Sequence, residues 1–100
     1  MIVIRFKVTC RPDKVEEAVA LFAPIVAPSR AIDGVISYEI CQDIVDPATI
    51  VATEVFAHHE AVRQQNALPE LAAALAALPS VMASPPEATL FEVSSAHSML

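Results

Sequence analysis

From Ile2 to Thr9 apolar side chains return at every second position, with Ile2, Ile4, Phe6 and Val8 on one side and Val3, Arg5, Lys7 and Thr9 on the other. A period of two in β-branched residues predicts a half-buried strand over residues 2–10. Arg11-Pro12-Asp13 stops it. Pro12 suits the first turn of a helix, and Asp13, Glu16 and Glu17 stand where the helix dipole favours negative charge. The period then lengthens. Val15, Ala18, Val19, Phe22 and Val26 recur at intervals of three and four, the single apolar stripe of a helix facing a core. Pro24 predicts a kink in that helix, and Pro28 its end near Arg30. Gly34, the chain's one glycine, predicts a positive φ where the helix gives way to a strand.

Alternation resumes over residues 35–42, with Ile36, Tyr38 and Ile40 on one face and Ser37, Glu39 and Cys41 on the other. A turn from Asp43 to Pro47 leads to a third strand over residues 49–56, and the short connection makes the two an antiparallel hairpin. A helical region begins at His58 and runs to Gln65, Leu68-Pro69 interrupts it, and Glu70 to Leu78 continues it. Pro79 and Pro85-Pro86 end the helical character, and residues 88–94 alternate once more as a last strand.

The order β-α-β-β-α-β predicts an α+β domain: a ferredoxin-like, four-stranded antiparallel sheet with its helices on one face. Val3 and Val51, or their opposite-parity neighbours, would then occupy a second, uncovered face. Hydrocarbon on both sides of the strands predicts a homodimer that pairs the two sheets face to face.

Composition narrows the function classes. One hundred residues fit one domain, and 55% hydrophobic content rules out disorder. A net charge of -6 with only six Lys and Arg cannot build a nucleic-acid-binding face or an attraction to anionic lipid. The longest apolar stretch, Ala18 to Ala27, is broken by Pro24 and is too short to span a bilayer. The N-terminal residues lack the pattern of a secretory leader, so a cytoplasmic location is the default expectation. Cys10 and Cys41 belong to no CxxC pattern and are expected to be small buried hydrophobes. There is no metal-ligand spacing, glycine-rich phosphate loop or Ser-His-Asp order.

The run Asp33-Gly34-Val35-Ile36-Ser37-Tyr38-Glu39-Ile40, followed by Gln42-Asp43, Asp46-Pro47 and Glu54 two residues before Phe56, resembles the antibiotic biosynthesis monooxygenase domain. So does Ala61 to Pro69. The resemblance implies a dimeric α+β barrel, and an enzyme that oxidises a quinol or polyphenol-type aromatic with O₂ and no cofactor. An electron-rich phenolate can itself reduce oxygen, so the protein need only bind it, desolvate it and stabilise the anion. Relatives on this scaffold also isomerise a small phosphorylated dicarbonyl compound or degrade haem. This chain has Phe56 where the family usually has tryptophan, and Gln65 and Glu70 where it often has histidines. Those departures argue against haem degradation.

The candidate catalytic residues are Tyr38, His58 and His59. Either imidazole could take a phenol proton near neutral pH, although neighbours on a helix point about 100° apart and share a metal poorly. The bland alternatives are a core tyrosine and a solvated pair of histidines. Phe22 and Phe56 could wall an aromatic ligand, and Gln65 and Asn66 could hydrogen-bond its oxygen. Arg5 could hold an anion, or simply pair with Glu54 or Glu39. A non-catalytic dimer that sequesters a small apolar molecule is the competing class. The isomerase alternative needs a cationic phosphate site, for which this chain has few residues.

Overall fold

The computed structural model describes residues 1–100. Four strands, β1 (Ile2–Thr9), β2 (Val35–Gln42), β3 (Thr49–Phe56) and β4 (Glu87–Glu92), form one antiparallel sheet in the order β2-β3-β1-β4. Helix α1 (Val15–Arg30) joins β1 to β2, while α2 (His59–Asn66) and α3 (Pro69–Ala77) join β3 to β4. This is the ferredoxin-like α+β arrangement that the element order predicts.

Register explains the core. Ile2 pairs with Phe56, Ile4 with Glu54, Phe6 with Ala52 and Val8 with Ile50, so the even-numbered residues of both central strands look towards the helices. Val8, Ile50 and Tyr38 join Ala18, Phe22 and Ile25 of α1 and Ala74 of α3 in the main cluster. Ile2, Phe56, Ala61 and Val62 form a smaller one beside α2.

Strand β2 departs from simple alternation. Val35 pairs with Phe56 and Ser37 with the next residue, Val55, which leaves Ile36 in a bulge. The extra residue flips side-chain parity once. Val35 therefore packs inward, and Ile36, expected beside Tyr38, is 57% exposed. Gly34 has the expected positive φ of 92°. A Cβ there would meet the His58 imidazole at 2.9 Å, so the position needs glycine for space as well as conformation.

Helix α1 carries Pro24 and Pro28 inside it and ends at Arg30, whose Nε donates to the Tyr38 carbonyl at 2.9 Å. Leu68 is extended before Pro69, which separates α2 from α3. β4 ends its ladder with β1 at Glu92, opposite Ile2, rather than at residue 94, and beyond it one further backbone bond, Val93 N–H to the Met1 carbonyl at 2.9 Å, continues the contact. Cys10 is buried as expected, but Cys41 is exposed because its odd position puts it on the face away from the helices.

On that face lie half-buried Val3, Val51 and Val55, together with Phe91, interspersed with Arg5, Lys7, Thr53 and Glu39. Thr9 and Thr49 share a hydrogen bond across it, Oγ1 to Oγ1 at 3.0 Å. No helix of the structure is long and apolar enough to cross a membrane.

Candidate functional site

The same parity that builds the core puts one carboxylate inside it. Along β3 the inward positions are Ile50, Ala52, Glu54 and Phe56, and Glu54 is flanked by Ile4 on β1 and Tyr38 on β2. Only 7% of Glu54 is exposed. Its surroundings are hydrocarbon, and burial raises the carboxyl from the ordinary value to about 7.

Glu54 opens onto a cavity of about 60 Å³. The floor is the sheet, through Phe6, Tyr38, Ile40, Ile50 and Ala52, and the roof is Phe22 and Ile25 of α1 with Leu71 and Leu75 of α3. Phe6 and Phe22 meet edge to face, centroids 6.2 Å apart, in the offset geometry that aromatic pairs prefer. Glu54 is the cavity's one carboxylate, and no cation lines it. Beyond Phe22, Ile40 and Ile50 a second, shallower space of about 240 Å³ opens between α1 and the end of β2. Val19, Ala23, Val26, Cys41 and Gln42 complete its wall.

Tyr38 is 3% exposed, and its hydroxyl accepts from Gln65 Nε2 at 3.3 Å. The same Nε2 donates to Ser29 Oγ at 3.3 Å, so a small polar network is enclosed between α1, α2 and β2. The phenol is pushed up to about 12, mainly by burial and then by the charge of Glu54, against the hydrogen bonds from Ser29 and Gln65. It stays protonated at any ordinary pH. No cluster of three or more His, Cys, Asp or Glu side chains is arranged to hold a metal ion.

The model of the family described as antibiotic biosynthesis monooxygenase matches residues 1–77. The chain belongs to that family. Among solved structures it is similar to a Mycobacterium tuberculosis protein, with a TM-score of 0.87 and 21% identity over 97% of this chain and 98% of the other. A Deinococcus radiodurans protein described as a candidate antibiotic biosynthesis monooxygenase gives a TM-score of 0.88 at 22% identity, over 100% and 99% of the two chains. At these identities the likeness shows the fold. An uncharacterized Synechocystis protein is 26% identical over 98 residues, which cover 98% of this chain and 67% of that protein.

Within this family member the candidate residues separate into groups. Tyr38 and Phe22 wall the inner cavity, and Gln65 is 1% exposed in the network behind it. Asn66, one residue on, is exposed and outside. Phe56 is fully buried but belongs to the smaller cluster, so it walls no cavity. Arg5 sits opposite Thr53 on the far face of the sheet, so it reaches neither the cavity nor Glu54, and it forms no ion pair with Glu39.

The histidines lie elsewhere. His58 is the N-cap of α2, its Nδ1 accepting from the Ala61 backbone N–H at 3.2 Å. His59 is exposed, with Nε2 3.8 Å from a carboxylate oxygen of Glu92. Both border a shallow depression with Met1, Ala57 and Val93, and neither touches the apolar cavity. Glu70 is half-buried in the first turn of α3, with one carboxylate oxygen enclosed and unpartnered.

Glu54 is the residue that sequence reasoning passed over as a site, treating it as part of a motif and as a partner for Arg5. The signal was present. A carboxylate that shares strand parity with Ile50, Ala52 and Phe56 must point where they point.

Proposed function

We propose that this antibiotic biosynthesis monooxygenase family member oxidises a small quinol or polyphenol-type aromatic with O₂, using Glu54 as the base that receives the phenolic proton. The observation that carries the reading is a single carboxylate, raised to about 7, at the floor of a cavity otherwise made of hydrocarbon and aromatic rings. A base half-ionised near neutrality serves this purpose well. Transfer from a phenol of pKa ~10 remains about 4 kcal/mol uphill, a cost compatible with a transient phenolate. The substrate is its own reductant. One oxygen atom joins a ring carbon that carries hydrogen, and the other leaves as water with the hydrogens of the O–H and C–H, giving a quinone.

Tyr38 serves as a wall and hydrogen-bonded strut in this scheme, and His58 and His59 take no part. The far sheet face, with Val3, Val51, Val55 and Phe91, would pair with a second copy to close the barrel. The phosphorylated-dicarbonyl isomerase reading is disfavoured, since no Lys or Arg lines either space. The position of the histidines outside the cavity favours one rival, binding without turnover.

Oxygen uptake with naphthols and naphthoquinols, without added cofactor, tests the proposal. Uptake should rise with pH through about 7 and be lost in Glu54→Gln. Ligand-induced protection against thermal unfolding with no uptake across the panel would leave the binding module standing instead.

A further inference from the structure

The inner cavity and the outer groove share Phe22, Ile40 and Ile50 as walls. They differ in what they can bond. The inner one holds an acceptor, the Glu54 carboxylate, which is more than nine-tenths buried and takes no hydrogen bond from the protein. The outer one has a single polar side chain on its rim, Gln42, and that amide already donates to the Pro47 carbonyl at 2.9 Å. At about 60 and 240 Å³ each space falls below the roughly 300–1,000 Å³ of drug-sized sites. Neither alone is a complete site for an extended molecule.

We propose that the two spaces form one elongated site for an uncharged phenol with a linear apolar tail, its hydroxyl donating to Glu54 and its tail lying past Phe22 along Val19, Ala23 and Val26. The inference rests on the Glu54 site proposed above and adds the shape of the molecule it takes. A buried acceptor without a partner rewards a ligand that brings one donor. A groove without free polar groups rewards hydrocarbon, about fourfold in affinity per methylene fully buried. Absence of any cation in either space selects against carboxylates and phosphates, whose charge would meet that of Glu54. Phe22 decides the length at which a substituent must turn from the inner space into the outer one.

Titration calorimetry with 4-alkylphenols from methyl to octyl, under nitrogen so that nothing turns over, tests this shape. Affinity should climb several-fold per added carbon pair, then level off as the groove fills. The matching 4-alkylbenzoates should bind at least tenfold more weakly. Ala23→Trp, at an exposed position of α1, should flatten the climb. Val19→Trp, at 41% exposure, provides the same block if the first variant misfolds. A flat chain-length series, one that both variants leave intact, or no binding by any alkylphenol would overturn the inference. The predicted series without oxygen uptake in air would remove only the oxidation proposal, and uptake with naphthols beside a flat series would remove only the elongated site.

Discussion

Glu54 and His58 are four residues apart, one inside β3 and one just beyond its end, and the protein treats them in opposite ways. Histidine is the residue type most often used for acid–base chemistry, yet His58 is exposed and spends its ring nitrogen on capping α2. Glu54 has the wrong intrinsic pKa, and burial among Ile4, Tyr38 and Ala52 brings it to about 7. Environment, not residue type, decides which group is poised to exchange a proton. The two regions also divide the labour of the fold. The main cluster leaves space against α1 and α3, whereas the cluster of Ile2 and Phe56 with Ala61 and Val62 seats α2 against the sheet.

Substitution at Glu54 should separate the regions most sharply. Glu54→Gln keeps the side chain's size and should lower oxygen uptake by roughly 10²–10⁴-fold, the usual share of a general base. Retention of full uptake in that variant would move the chemistry away from the carboxylate. Phe56→Ala, in the other cluster, should cost about 3–5 kcal/mol of stability by denaturant unfolding, since the ring is fully buried. A cost below about 1 kcal/mol would show that this end of the core is looser than the packing implies.

Stability against pH distinguishes the same two regions without touching activity. Glu54 binds its proton more tightly in the folded state than in the unfolded chain, whose carboxyl titrates at the ordinary 4.5. Folding is therefore favoured by this group below about 4.5, and that contribution is lost as pH rises through about 7, a change of about 3 kcal/mol. Urea titrations at pH 5 and 8 should show the loss in the parent protein and its absence in Glu54→Gln. Equal slopes against pH would mean that the carboxyl is not buried in solution.

The smallest effects belong to the histidines. His58→Ala removes the cap of α2 and should cost about 1 kcal/mol while uptake is unchanged. His59→Ala should alter neither melting temperature nor uptake, because its contact with Glu92 is long and exposed. A large loss of turnover in either variant would return the imidazoles to the site.

Much of this was legible in the chain. Alternation in β1 sorted its residues into two faces, since a strand that buries one face has no freedom to exchange sides, and the pairing with β3 then decided which face looks inward. Leu68-Pro69 announced the break between α2 and α3, and Gly34 its positive φ. The bulge at Ile36 was not legible, because it depends on which residues of β3 pair with Val35 and Ser37. Nor was the end of β4, whose ladder with β1 closes opposite Ile2.

The order of elements, the family and the inward direction of Glu54 are properties of the linear pattern, because periodicity and turn residues act over a few neighbours. Three things needed the packed molecule: the cavity beneath Phe22, the proton affinity of Glu54, and the assignment of Gln65 to Tyr38 and Ser29. Each is set by groups from different elements meeting out of water, and the desolvation they impose has no value until those elements are in contact.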